Sequence, residues 1–493
     1  MRMKNLKQYE FWFITGSQHL YGEEVIKTVE EHSKAMVEGL ANDSLIPAKI
    51  IFKSVVTTPD EITRVCEEAN YDENCAGIIT WCHTFSPSKM WISGLTKLSK
   101  PWLHLHTQFN RKIPVQEIDM DFMNLNQSAH GDREHGFIGA RLRKARKIVV
   151  GYWEDVAVRE KMGNWMRSAI GVAVSRSLKV VRYGDNMRYV AVTEGDKVEA
   201  EIKLGWQVNT RAVGDLVGLI NQVTEEEIEA LMAEYEQKYD IETDQIEQVR
   251  YQAKVQLGIQ KSLELGDFGA FTTTFEDLHG LDQLPGLACQ DLMSKGYGFG
   301  GEGDWKVAAM THIMKAMAQG INKGTSFMED YTYDLTLGNE LILGAHMLEV
   351  CPTVAQNRPK IEVHPLGIGA KSDPARLVFD GKAGKAIVAS LVDMGGRLRL
   401  IVNDIECVKP FDMPNLPVAG VMWRPEPNLQ ISAEAWILAG GAHHSVLSFD
   451  LTADHMRDFA EMLDIEFVHI NKDTDINELK RDLFLADLAW KLK

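Results

Sequence analysis

The chain of 493 residues has no apolar run approaching the roughly 18 residues a membrane-spanning helix needs, so it reads as a soluble protein. Its N-terminus, Met1-Arg2-Met3-Lys4-Asn5-Leu6-Lys7, is followed by the short strand-like Phe11-Trp12-Phe13-Ile14 rather than by the apolar core of an export signal, and a cytoplasmic location is expected. Positive charge is in deficit. A formal net charge of −17 with no compensating Lys/Arg cluster repels phosphate backbones and anionic lipid, which argues against nucleic-acid and membrane partners and for a small neutral or cationic ligand. Cysteine is scarce. Cys66, Cys75, Cys82, Cys289, Cys351 and Cys407 form no CxxC pair, and several sit in apolar strand-like contexts, so they read as free thiols in a reducing compartment. Nothing beside them would lower a thiol pKa for catalysis. Neither a GxGxxG nor a P-loop follows the first strand, so dinucleotide and nucleoside-triphosphate readings lose their main support.

What is present is ordinary globular composition, 45% hydrophobic and 25% charged, in a chain too long for one hydrophobic core. The first part alternates strands over 11–15, 48–56, 76–81, 102–106 and 147–152 with helices over 23–40, 87–98, 134–146 and 159–177. A further helix opens at Thr58-Pro59, where Thr58 is the cap and Pro59 takes the first helical position. This order predicts a doubly wound parallel sheet with helices on both faces. Ligands of such sheets bind beyond the C-terminal strand ends. Three loops of neutral donors and aromatics fall there, at 16–22, 82–87 and 106–110, and their composition suits hydroxyl groups and sugar faces better than phosphates. An amide-rich segment, 119–131, is either a substrate loop or a hydrogen-bonded connector.

The first boundary is expected at residue 177. A central α/β region over 178–326 then carries two charged helices, over 225–239 and 244–264, whose Glu and Lys runs read as solvated faces. It also carries a strand over 270–275 and the glycine-rich Gly300-Gly301-Glu302-Gly303 ahead of a helix over 306–318. Over 327–493 the pattern becomes strand after strand: 327–333, 341–348, 375–379, 385–392, 397–402, 418–423 and 435–438. Helices over 452–463 and 476–492 close the chain. Successive strands without intervening helices predict a mainly antiparallel, barrel-like domain. Domains of 1–177, 178–326 and 327–493 are therefore expected.

Carboxylates and imidazoles recur in this last part. Strand alternation puts Phe327, Glu329 and Tyr331 on one face, and Ile342, Gly344 and His346 on one face of the next strand. A Glu and a His among apolar neighbours are costly to bury unpaired. Each has two readings: Glu329 as a buried salt bridge or a metal ligand, His346 as a satisfied core histidine or a metal ligand. Glu302 is either a ligand or a favourable charge at a helix N-terminus. Adjacent strand residues point oppositely, so at most one of His443 and His444 is expected to touch a metal, leaving the other for substrate or for supporting the ligands from behind. Mixed carboxylate and imidazole ligation suits Mn²⁺, Co²⁺ or Fe²⁺ with open positions better than a closed zinc site.

At these residues the chain resembles the L-arabinose isomerase family, within a wider group of arabinose and fucose isomerases. The similarity runs over nearly the whole chain. It includes Gly16-Ser17-Gln18-His19-Leu20-Tyr21-Gly22, Met120-Asp121-Phe122-Met123-Asn124-Leu125-Asn126-Gln127, Thr272-Thr273-Thr274-Phe275-Glu276-Asp277-Leu278-His279-Gly280, Gly301-Glu302-Gly303-Asp304-Trp305-Lys306 and Gly440-Gly441-Ala442-His443-His444. The resemblance implies that Glu302, Glu329, His346 and His444 bind one Mn²⁺ per subunit and that both glutamates do acid/base work. It implies that Gln18, Gln127, His130, Met187 and Phe275 surround the sugar; His443, the imidazole that alternation leaves off the metal, is expected to join them. It also implies three domains and a hexamer whose active sites are shared between subunits. The expected reaction is L-arabinose to L-ribulose through a cis-enediol, with D-galactose to D-tagatose as a side activity. The rival readings are an isomerase of another sugar such as L-fucose, a sugar-binding protein without catalysis, and a metallohydrolase.

Overall fold

A computed structural model describes residues 3–492. The chain divides into two compact units, Lys4–Ala173 and a larger one from Val174 onward.

The first unit is built on a five-stranded sheet in the order Lys49–Val56, Glu10–Gly16, Cys75–Cys82, Trp102–His106, Lys147–Val150, with every neighbouring pair parallel. Phe11 to Ile14 and the whole of Cys75–Cys82 are buried, as strands covered by helices on both faces must be. Thr58 opens the helix Pro59–Tyr71 as expected: its hydroxyl accepts from the Glu61 N–H while Glu61 reaches back to the Thr58 backbone. The strand order reverses direction after Glu10–Gly16, so the crevice of the sheet lies between this strand and Cys75–Cys82. The polar loops 16–22 and 82–87 leave from these two strands, and a hydrogen bond of 2.8 Å between the Ser17 and Thr84 hydroxyls ties them together. Two helices differ from expectation. The segment 87–98 is a 3₁₀ turn, Ser88–Trp91, followed by a short α-helix, Ile92–Lys97. The helix expected over 134–146 instead runs Ser128–Arg141, taking in the end of the amide-rich segment, and Arg143 leaves it with a left-handed backbone (φ 51°).

The second unit holds two sheets that position the site. A four-stranded parallel sheet has the order Gly298–Gly300, Ala270–Thr272, Lys179–Tyr183, Gln207–Arg211. The other sheet closes on itself. Gly384–Asp393, His444–Ser448, Thr325–Asp334, Leu341–Ala345, Val421–Pro425 and Leu398–Val408 pair antiparallel in turn, and the last pairs back with the first. Along one edge of Leu398–Val408, Val421–Pro425 pairs with residues 405–408 and Glu466–Ile470 continues the same edge, parallel, over Arg399 to Asn403. Met328, Ile342, Val388, Ile405, Trp423 and Leu447 belong to one buried apolar cluster. Alternation then turns Phe327, Glu329, His444 and Val446 to the opposite face of their strands.

One expected strand is a helix. Residues 435–438 lie in the helix Leu429–Ala439, whose N-terminus is capped by Asn428 accepting from the Ile431 N–H at 2.9 Å and whose end is turned by Gly440 in the left-handed region. Ala435 and Ala439, four apart, are buried while Ile437 between them is exposed, a helical period that a run of four apolar residues is too short to declare.

Gly344 faces the Trp423 ring so closely that a β-carbon there would lie 2.0 Å from Cζ3 and 2.8 Å from the Met328 sulfur. Gly344→Ala is expected to overpack the barrel and cost about 1–3 kcal/mol, read as a lower urea midpoint of unfolding with the denaturant slope unchanged.

Candidate active site

The register of the barrel does the first part of the assembly. Strands Thr325–Asp334 and His444–Ser448 pair so that Glu329 stands directly opposite His444, and on its other side Glu329 stands opposite Ala345, the residue before His346. His346 thus follows the end of its strand instead of lying within it. The buried Phe327 ring meets both imidazoles edge-on, at 5.0 Å from His346 and 5.1 Å from His444, and the two imidazoles lie 5.7 Å apart between centroids.

Glu302 reaches the same place from the central sheet. It follows the strand Gly298–Gly300 with a left-handed backbone (φ 59°), an arrangement uncommon outside glycine. Two hydrogen bonds of 2.9 Å hold the turn: the Met187 N–H donates to the Glu302 carbonyl, and the Gly303 N–H to the Thr273 carbonyl. A β-carbon at Gly301 would stand 2.9 Å from Cε1 and Nε2 of His346, so the glycine is what lets the loop lie against that imidazole.

The two histidines are set alike. His444 places Nδ1 3.2 Å from Asp304 Oδ2, while Asp304 Oδ1 accepts from the N–H groups of Lys306 and Val307 at the start of the helix Trp305–Met317. His346 places Nδ1 on Glu349, whose carboxylate also accepts the Leu348 N–H at 3.0 Å. Each imidazole gives its Nδ1 proton to a carboxylate and keeps Nε2 as a lone pair, the arrangement in which histidines bind metals. His444 is fully buried and its Nε2 has no hydrogen-bond partner. An imidazole nitrogen so buried and unpartnered costs about 1–3 kcal/mol unless an ion or ligand meets it.

Burial pushes the Glu302 carboxyl upward, but the hydrogen bond from His443 and the charges of His444, His443 and His346 outweigh it and hold the group below its ordinary range. Burial holds His444 below the ordinary histidine range against the pull of Asp304, which keeps the neutral, ligating form. Asp330, beside Glu329, is pushed up to about 7 by burial and then by the Glu329 charge.

The tightest convergence is Glu302, His443 and His444, whose ligand atoms lie within 4.8 Å of one another; His443 Nε2 is 3.3 Å and His444 Nε2 3.9 Å from Glu302 Oε2. Both histidines of the doublet therefore face Glu302, where alternation predicts that only one would. The strand begins at His444, so the alternation rule does not reach His443. Glu329 and His346 flank this group through sheet register and ring contact. Two carboxylates and two Nε2 lone pairs are a donor set that fits a divalent ion of the manganese class.

The sugar candidates fall in two places. Phe275 stacks over His346 with centroids 6.0 Å apart and planes 13° from parallel, and Met187 is half-buried beside the Glu302 turn. Gln18, Gln127 and His130 belong to the unit Lys4–Ala173. There Gln127 Nε2 donates to the Tyr21 hydroxyl at 3.1 Å, Gln18 directly precedes the 3₁₀ turn His19–Tyr21, and the exposed His130 ring stacks on Phe85 at 4.7 Å. The six thiols are free and buried, and burial pushes those of Cys66 and Cys75 up to about 12, which leaves them inert as nucleophiles at neutral pH.

Three family models match in order: the L-arabinose isomerase N-terminal domain over residues 5–177, the central domain over 179–320 and the C-terminal domain over 324–466. The chain belongs to the L-arabinose isomerase family. Among its relatives, the L-arabinose isomerase of Geobacillus stearothermophilus is 62% identical, over 99% of this chain and 100% of its own length. L-arabinose isomerase 1 of Bacillus licheniformis is 59% identical over 100% of both chains, and the L-arabinose isomerase of Bacillus subtilis 56% identical, again over 100% of both.

In this member of the family, sequence reasoning missed the two carboxylates that orient the histidines. Glu349 follows His346 by three residues, and Asp304 sits where a helix cap is expected. Each has a local explanation that hides its second contact. The substitution Asp304→Asn keeps a capping oxygen but removes the charge on His444. It is expected to weaken binding of added Mn²⁺ about 10–100-fold, measured by competition with a metal-sensitive dye, and to lower the melting temperature as well, because it takes the counter-charge from the buried Lys306 ammonium 3.4 Å away.

Proposed function

We propose that the chain isomerises L-arabinose to L-ribulose as a Mn²⁺-dependent intramolecular oxidoreductase, with D-galactose to D-tagatose as a side activity. The observation that carries the metal dependence is the pair of buried imidazoles, each with Nδ1 on a carboxylate, beside Glu302 and Glu329. Glu302, Glu329, His346 and His444 hold the ion in this reading, which supplies Lewis-acid polarisation of the sugar carbonyl.

Glu302 and Glu329 approach from different sheets and act as the acid/base pair. One carboxylate takes the proton from C2, the electron pair left behind forms the C1–C2 double bond of a cis-enediol, and O1 gains a proton. The return step delivers a proton to C1 as O2 loses its own, so a hydrogen moves from C2 to C1 with no net oxidation. His443 supports this by keeping Glu302 in the ionised, proton-accepting form. Phe275 and Met187 offer apolar surface to the sugar beside the reacting end, and Gln18, Gln127 and His130 offer donors for its hydroxyls.

The same reading holds a cytoplasmic homohexamer, three domains at 1–177, 178–326 and 327–493, and active sites completed by the N-terminal loops of a neighbouring subunit. Six free, buried thiols suit a reducing compartment. Co²⁺ or Fe²⁺ would suit the same donors.

Chelator-stripped protein given L-arabinose in D₂O is expected to form L-ribulose only after Mn²⁺ is restored, with deuterium at C1 of the ketose. Glu329→Gln is expected to lower kcat by a factor on the order of 10² or more. Ketose formed at full rate without any metal would sink the metal reading, and ketose free of deuterium would replace the enediol by a hydride shift. A second expectation concerns the shared site: mixing inactive Gln18→Ala and Glu329→Gln proteins under conditions that exchange subunits should restore measurable activity. Activity that stays at the level of the separate variants would place each site within one subunit.

A further inference from the structure

The unit Lys4–Ala173 contains a second gathering of metal-type side chains that shares no residue with the Glu302 group. Trp102, His104 and His106 alternate onto one face of the strand Trp102–His106. Asp132 and His135, three apart, lie on one face of the helix Ser128–Arg141 packed against it. The ligand atoms of His104, His106 and Asp132 all fall within 4.8 Å of one another. His106 Nδ1 is 2.5 Å from Asp132 Oδ2 and His104 Nε2 is 3.0 Å from Asp132 Oδ1.

The second of these contacts is close without being a satisfied hydrogen bond. His104 Nε2 and Asp132 Oδ1 are both buried with no aligned partner. The other nitrogen of His104 is 2.9 Å from the Thr80 hydroxyl, and Thr80 is the register partner of His104 on the neighbouring strand. The Trp102 indole N–H donates to that same hydroxyl oxygen at 2.8 Å. In the tautomer whose Nδ1 proton goes to Thr80, Nε2 is a lone pair facing a carboxylate oxygen, and a cation between them satisfies both.

His135 adds an independent observation. It is 1% exposed, neither ring nitrogen has a hydrogen-bond partner, and its ring lies 4.6 Å from that of His104 and edge-on to Trp91 and Trp102. His104, His106, Asp132 and His135 line one cavity of about 250 Å³, and Arg133 and Arg146 line it as well. The Arg146 charge opposes a cation, but its two terminal nitrogens are engaged by the Lys144 and Gly136 carbonyls. A single carboxylate with neutral imidazoles leaves a bound divalent ion with net positive charge, so water or a small anion could complete the coordination from the cavity.

We propose that His104, His106 and Asp132 form a second divalent-metal site, of the two-histidine, one-carboxylate kind that Zn²⁺ favours, with His135 beside it as a further donor. The site tethers the strand Trp102–His106 to the helix Ser128–Arg141, directly beneath the loop 106–110.

The test counts ions. Full-length protein is stripped with a chelator and titrated with Zn²⁺, and with Co²⁺ for its visible absorption, in the unaltered chain, in His106→Gln, in Asp132→Asn, and in a Glu302→Gln, His444→Asn double variant. Two ions per unaltered chain are expected. His106→Gln and Asp132→Asn should each weaken one of them at least tenfold and remove its Co²⁺ absorption, while the double variant loses the other ion and keeps that absorption. Unchanged titrations in both N-terminal variants would overturn the proposal, and loss confined to those variants would uphold it even if the Glu302 group bound no metal. His106 is partly exposed at the cavity mouth, so His106→Gln decides the matter if the buried Asp132→Asn protein fails to fold.

Discussion

Closure of the C-terminal sheet is the constraint on which the candidate site depends. With six antiparallel strands paired around a ring, the register of each strand is fixed from both sides, and a slip of one residue would turn every side chain to the other face. Glu329 stands opposite His444 because Met328 and Leu447 are committed to the apolar cluster. The tightness of that cluster is visible at Gly344, where Trp423 leaves no room for a β-carbon. Packing on one face of the strands thus sets the position of the carboxylate and imidazole on the other.

The central sheet supplies the remaining carboxylate through a turn with little slack. Glu302 sits in a left-handed conformation between two glycines, its carbonyl bound by Met187 and its neighbour bound to Thr273. Asp304 then serves two structures at once, one oxygen on the first turn of the helix Trp305–Met317 and the other on His444. Helix start and imidazole orientation are coupled through a single buried carboxylate. This coupling explains how a loop from one sheet and a strand from another can hold ligand atoms within a few ångströms of each other.

A common logic links this group and the cluster at His104. In both, buried imidazoles are oriented through one nitrogen, by carboxylates at Asp304 and Glu349 or by the Thr80 hydroxyl, and at His444 and His104 the other nitrogen has no hydrogen-bond partner. Burial favours the neutral form of His444 and of His135, whereas the carboxylates of Glu302 and Asp132 stay ionised because the histidines beside them offset the cost of burial. The difference lies in access. His443 and Glu302 keep partial exposure, while His104, Asp132 and His135 are enclosed and, of that cluster, only His106 reaches the surface.

Several features were legible in the chain because they depend on neighbours in sequence. The Thr58-Pro59 helix start, the both-faces-buried strand at Cys75–Cys82 and the change from alternating to successive strands after residue 326 are local patterns, and each has its counterpart in the fold. Local signals failed where the run was short or ended, as at 435–438, read as strand but helical, and at His443, which lies one residue before the strand that would have turned it away. By itself the sequence determined which residue types were available and which segments could carry them: Glu302 in a glycine-flanked turn, Glu329 on a strand, His346 after one and His444 at the head of another. Tertiary structure alone decided which of them meet. Register between strands 115 residues or more apart, the double use of Asp304 and the facing of His104 with Asp132 arise from pairings whose partners are remote along the chain, and no local pattern encodes a distance across a closed barrel.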